Sequence, residues 1–135
     1  MSLDWKELAE RLYAQGDFEG ALSAWLVAEE TVSLDAVQWH KRGIALRRLE
    51  RYKEAVQAFD RSLELDPKNA DAWRNRALVL NQLNRNAEAV SSCEKAIAID
   101  PSSPRTWIVR GFALHCTGQY EAAVESYARA IELNP

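Results

Sequence analysis

Four tryptophans, Trp5, Trp39, Trp73 and Trp107, follow one another at intervals of 34 residues along a chain of 135. A single irregular core leaves no such period. A fixed spacing of this size marks a chain assembled from equal supersecondary units, each burying its apolar face against the next. Thirty-four residues give each unit room for two helices and two short connections, and point to paired helices stacked in series.

With position 1 placed at Ser2, Ala36, Ala70 and Pro104, the four units align without insertion or deletion. Position 4 is then always Trp. Position 8 is small (Ala9, Gly43, Ala77, Gly111), position 11 is always leucine (Leu12, Leu46, Leu80, Leu114) and position 20 is always alanine (Ala21, Ala55, Ala89, Ala123). At about 100° per residue, positions 4, 8 and 11 share one face of a first helix. Small residues at 8 and 20 let two helix backbones approach closely, and the tryptophans read as core filling the space around them. Trp25, Phe59 and Tyr127 at position 24 pack from a second helix. Gly16, Asn84 and Gly118 at position 15 suit the left-handed turn that ends a helix, with Glu50 as the fourth member. Pro67, Pro101 and Pro135 at position 32 stop the second helix, and segments such as Asn69-Ala70-Asp71 and Ser102-Ser103-Pro104 start the next.

The pattern W-x3-[AG]-x2-L, followed by Ala at 20, an aromatic at 24, Ala or Ser at 27 and Pro at 32, resembles the tetratricopeptide repeat over the whole chain. The resemblance implies an all-α, right-handed helical-repeat solenoid of helix–turn–helix units, about eight helices. It implies one domain spanning 1–135, with repeats at 2–35, 36–69, 70–103 and 104–135, in a chain expected to be cut from a longer protein. Three departures stand out. Position 7, usually aliphatic in the family, is Leu8 and then Arg42, Arg76 and Arg110. Cys93 takes the aromatic slot of the third repeat, and Asn86 stands where the other repeats have Phe18, Tyr52 and Tyr120. The acids Asp60 and Glu94 at position 25 are candidate partners for the arginines. Arg42–Asp60 and Arg76–Glu94 would pair within a repeat, Asp60–Arg76 and Glu94–Arg110 between repeats, and the sequence leaves both open.

The resemblance further implies that the first helices line a concave groove through positions 2, 5, 6, 9, 12 and 13. By helical angle these centre about 130° from the 4/8/11 face. Position 9 runs Ile44, Leu78, Phe112 in adjacent repeats, extended by Ile108, with Lys41, Arg48, Arg74, Asn75 and Arg105 alongside. Apolar side chains on the outer face of a helix that already buries another face are the mark of a ligand surface. A protein or peptide partner with apolar anchors and carboxylates fits them. Family members that clamp a chaperone's C-terminal carboxylate use Lys at 5 and Asn at 9 of one repeat, Asn at 6 of the next, then Lys at 2 and Arg at 6 of the third. Repeats one to three offer Lys6, Glu10, Lys41, Asp71 and Asn75; repeats two to four offer His40, Ile44, Asn75, Arg105 and Val109. Neither set makes the clamp.

The chain offers no catalytic or cofactor motif. His40 and His115 sit in different repeats, and Cys93 and Cys116 make neither a CxxC pair nor, with the histidines, a metal cluster. No cofactor and no metal are therefore expected, and the protein is read as no enzyme. The net charge of −3 gives no basic signal for nucleic acid or an anionic membrane. No apolar run is long enough for a bilayer, and a reducing, cytoplasmic setting is expected. Charge is uneven: residues 1–35 carry 8 acids and 2 bases, and residues 36–69 carry 5 acids and 8 bases. This would favour a salt-sensitive contact between copies. The competing role is a self-associating assembly scaffold, a homodimer joined through its C-terminal helix at Val124, Tyr127, Ile131 and Leu133.

Overall fold

The computed structural model describes residues 3–135, so Ser2, position 1 of the first repeat, lies outside the described residues. They form eight α-helices and no strand: α1 (Trp5–Ala14), α2 (Phe18–Glu29), α3 (Ala36–Arg48), α4 (Tyr52–Leu65), α5 (Ala70–Gln82), α6 (Asn86–Ile99), α7 (Pro104–Cys116) and α8 (Tyr120–Leu133). Odd-numbered helices are the first of a repeat and even-numbered ones the second, so the fold is an all-α helical repeat in the expected register. The chain divides into two compact halves, Met1–Pro67 and Lys68–Pro135, each holding two repeats. In the first half α1 packs on α2, α3 on α4, and α3 also on α2. In the second, α5 packs on α6, α7 on α8, and α7 also on α6 and α5.

One device turns every first helix into its partner. The residue at position 15 adopts the left-handed conformation in all four repeats: Gly16 (φ 82°), Glu50 (61°), Asn84 (60°) and Gly118 (79°). The next backbone N–H then reaches back to the carbonyl of the position-11 leucine: Asp17 to Leu12 at 2.9 Å, Arg51 to Leu46 at 2.8 Å, Arg85 to Leu80 at 2.8 Å and Gln119 to Leu114 at 2.9 Å. This is the six-residue closing bond of a helix C-terminus. Glycine makes the turn at no steric cost, whereas the Cβ of Glu50 is strained there. Glu50 is exposed and its side chain is not part of the core. Glu50→Gly is therefore expected to stabilise the protein by about 0.5–1 kcal/mol, the relief of strain outweighing the added freedom of the unfolded chain. A thermal melt checks it, and an unchanged or lower midpoint contradicts it.

Helix starts are capped according to the residue available. Asp35 and Gln38 form a reciprocal capping box, Gln38 N–H to Asp35 Oδ1 at 2.8 Å and Asp35 N–H to Gln38 Oε1 at 3.2 Å. Asp4, Asp17 and Asn69 cap α1, α2 and α5 through their side chains. Ser103 sits at the start of α7 without a side-chain bond, and Pro104 supplies the first-turn geometry instead.

The core lies between paired helices, at positions 8, 20 and 24. All four position-20 alanines are buried. A Cβ on Gly43 would stand 2.6 Å from the Phe59 ring, and one on Gly111 2.8 Å from the Tyr127 ring. Glycine is thus required where the second helix brings a phenyl or phenol ring. The first repeat solves the same packing with Ala9 and Trp25, both at 0% exposure; the third uses Ala77 and Cys93, both buried.

The tryptophan ladder differs from its expected role as sealed core. Trp5 is 37% exposed and Trp39, Trp73 and Trp107 are half-buried. For the last three the reason is the company they keep. Position 7 and position 26 place cations on the indoles: Arg42 and Arg61 lie 4.6 and 5.5 Å from the Trp39 ring, Lys95 lies 5.1 Å from Trp73, and Arg110 and Arg129 each lie 5.9 Å from Trp107. An aromatic face that receives a guanidinium needs the stem packed and the head hydrated, so these indoles stop short of full burial.

Candidate partner-binding site

The nine residues expected to line a groove fall on α3 (Lys41, Ile44, Arg48) in the first half and on α5 and α7 (Arg74, Asn75, Leu78, Arg105, Ile108, Phe112) in the second. In the first half their charges are already engaged. Lys41 Nζ lies 3.4 Å from Glu10 Oε1 and 5.9 Å from the Tyr13 ring, bridging α3 to α1. The Arg48 guanidinium lies 5.4 Å from the Phe18 ring, and Ile44 is half-buried beside them. Tyr13 in turn touches Phe18 and Trp25, so this face is an aromatic cluster closed over by cations.

The second half is more open. Ile108 is 50% exposed and Phe112 48% exposed, one helical turn apart on α7, while Val109, Ala113 and Leu114 of the same helix are buried. Leu78 is half-buried on the adjoining α5. Arg105 is exposed, and no ion pair holds it among the described residues. Arg74 is not equivalent: its Nη1 lies 3.0 Å from Asp71 Oδ1 and its side chain is largely covered. Two expectations need correction. Asn75 and Val109, both at position 6, are buried rather than presented outward, because on α5 and α7 this position is covered by neighbouring helices. Asn81 at position 12 is also buried. Its amide donates to the Val109 carbonyl at 3.4 Å and its oxygen accepts from Asn86 Nδ2 at 2.9 Å. That network explains Asn86 in the ring position: a polar side chain is needed to satisfy the Asn81 oxygen.

The position-7 arginines find partners that the sequence did not single out. Arg76 donates to Ser92 Oγ at 2.6 Å and Arg110 to Ser126 Oγ at 2.5 Å. Both serines occupy position 23, where the first two repeats have Ala24 and Ala58. Lacking that serine, Arg42 reaches instead to Glu29 of the preceding repeat at 2.5 Å. Of the acid pairings left open, Glu94–Arg110 forms between repeats at 3.8 Å. Serine at 23 accompanying arginine at 7 was the available signal.

On α8, Val124 and Ile131 are 66% and 64% exposed, whereas Tyr127 and Leu133 are half-buried. Tyr127 departs from the expected open face because its ring packs over Gly111. Burial pushes the Cys93 thiol up to about 12, so it stays protonated within the core; Cys116 is exposed. Among the described residues no group of three or more His, Cys, Asp or Glu is placed to hold a metal ion, and no helix is long and apolar enough to cross a membrane.

Paired helices in 34-residue register, with ringed glycine contacts inside and an open face on the first helices, define a helical-repeat protein of the interaction type. The chain belongs to the tetratricopeptide repeat family: models described as Tetratricopeptide repeat match residues 7–26, 40–104 and 104–135. No curated protein matches its sequence. Among solved structures it is similar to MamA 41-end from Desulfovibrio magneticus RS-1, with 27% identity over 97% of this chain and 74% of that one and a TM-score of 0.89. YrrB, described as a TPR protein with an unusual peptide-binding site, aligns at 19% identity over 97% and 68% of the two chains with a TM-score of 0.92, a likeness of fold. The first TPR of Spaghetti (RPAP3), bound to the HSP90 peptide SRMEEVD, aligns at 29% identity over 75% and 80% with a TM-score of 0.74.

Proposed function

We propose that this protein is a non-enzymatic protein-interaction module that holds a peptide segment against its first helices, chiefly α5 and α7. The observation that carries the reading is the pair Ile108 and Phe112, half exposed on a helix whose opposite face is already buried. Leu78 adjoins them, and Arg105 adds an exposed positive charge. Together they suit a peptide with one or two apolar anchors and a carboxylate. The RPAP3 domain, which binds an acidic peptide, supports the general mode. The clamp for a chaperone tail is absent from this chain, where position 9 is Ile44 and the position-6 residue Val109 is buried, so a different acidic peptide is the ligand class.

Fluorescence polarisation against a library of labelled peptides, varied in acidic and apolar content, tests the reading. Phe112→Ala is expected to weaken the best binders about tenfold or more, as for truncation of an interface anchor. Arg105→Glu is expected to select against acidic peptides specifically. Unchanged binding in both variants would remove the site. A second reading, self-association through α8, is favoured by one observation, the exposure of Val124 and Ile131 on a helix with an otherwise buried face.

A further inference from the structure

Two joints between repeats lie within the halves, α2 against α3 and α6 against α7, and they are built from the same positions. In the first, Leu26 and Glu29 at positions 25 and 28 face Trp39 and Arg42 at positions 4 and 7, around a crevice of about 480 Å³. In the second, Glu94 and Ile97 face Trp107 and Arg110 around a crevice of about 410 Å³. An ion pair crosses each, Arg42–Glu29 and Arg110–Glu94. A position-7 arginine therefore goes with an acid at 25 or 28 of the helix it packs upon.

The first and last helices break this rule together. On α1, position 7 is Leu8, beside the partly exposed Trp5, and Leu12 is half-buried where Leu46 and Leu114 are buried. On α8, positions 25 and 28 are Ala128 and Ile131, with no acid, and Val124 and Ile131 are exposed where the same residues of α6, Val90 and Ile97, are half-buried. The arginine and its acid have been lost from matching sides of one joint, leaving apolar surface on both.

We propose that α1 of one copy packs on α8 of a second copy, reproducing the joint between repeats with Leu8 against Ala128 and Ile131 in place of arginine against an acid. The inference rests on the self-association reading and specifies its partner face. The two faces differ, so the contact is head-to-tail, and each added copy leaves one face of each kind open. Assembly then grows with concentration instead of stopping at a pair. One helix-on-helix joint lies below the ~1,200 Å² of a standard stable interface, so association is weak. Its apolar character makes it insensitive to added salt, unlike a contact driven by the uneven charge of the first two repeats.

The test uses substitutions the repeats themselves accept, Leu8→Arg as at position 7 elsewhere and Ala128→Glu as in Glu94. Sedimentation equilibrium of the full chain from ~10 µM to ~1 mM reads the mass, and circular dichroism melts verify folding. Wild type is expected to rise past the mass of a dimer. Each single variant alone is expected to lose about tenfold or more in association, because an unpaired charge enters an apolar joint. Mixing the two variants is expected to restore association, through their intact faces and, in alternation, through a new ion pair between the two altered ones; Leu8→Arg/Ala128→Glu in one chain is expected to regain growth through that ion pair alone. A monomeric wild type at every concentration overturns both this inference and the self-association reading. A Leu8→Arg protein that still dimerises fully, or a mixture that forms no heterodimer, overturns the head-to-tail joint and leaves association through α8 standing.

Discussion

Trp25→Ala is expected to destabilise the first half by about 3–5 kcal/mol, the range for removing a buried aromatic from a closely packed site. Trp25 is at 0% exposure between α1 and α2, with Tyr13 at 6.0 Å. Trp25 and Ala9 are both fully buried, so truncation of the indole leaves a cavity inside the packed pair of helices. A ladder tryptophan is a sharp comparison. Trp39 keeps part of its surface in water and stacks on Arg42 and Arg61, so Trp39→Ala is expected to cost less, about 2 kcal/mol. Urea unfolding followed by far-ultraviolet circular dichroism ranks the two. Equal losses would mean that the ladder, not position 24, anchors the core.

The second large effect concerns Gly43. Its missing Cβ is occupied by the Phe59 ring, and an added methyl would stand 2.6 Å from that ring. Gly43→Ala is expected to cost about 1–3 kcal/mol despite the better helix propensity of alanine, because the ring or the helix must shift. Phe59→Ala alone is expected to cost about 3–5 kcal/mol. The double variant is expected to be less destabilised than the sum, since the methyl then projects into space the ring has vacated. Strict additivity in denaturant melts would show that the two positions do not compete for the same volume.

The turns were legible in the sequence because position 15 requires a left-handed residue in every repeat, and the requirement is local. Even Glu50 obeys it, against its own preference. The small residue at position 8 was legible for a similar reason, being set by the ring opposite. The arginine partners were not, because a long flexible guanidinium has several acceptors within reach. Ser92, Ser126, Glu29 and Glu94 all serve, and helix packing chooses among them. The groove residues were legible only as a face. Helical angles place Asn75, Arg74 and Lys41 on it, but cannot see that Asn75 is covered, that Asp71 holds Arg74 or that Glu10 holds Lys41.

The sequence by itself determined the family, the four-repeat register, the eight helices and the turns between them. Each of these follows from local rules of period, capping and backbone conformation that recur every 34 residues and reinforce one another. Only the tertiary structure decided that Trp25 rather than the ladder is sealed, that Ile108, Phe112 and Arg105 remain open on α7, and that α8 keeps Val124 and Ile131 uncovered. These are differences of burial, and burial depends on which neighbouring helix covers a face.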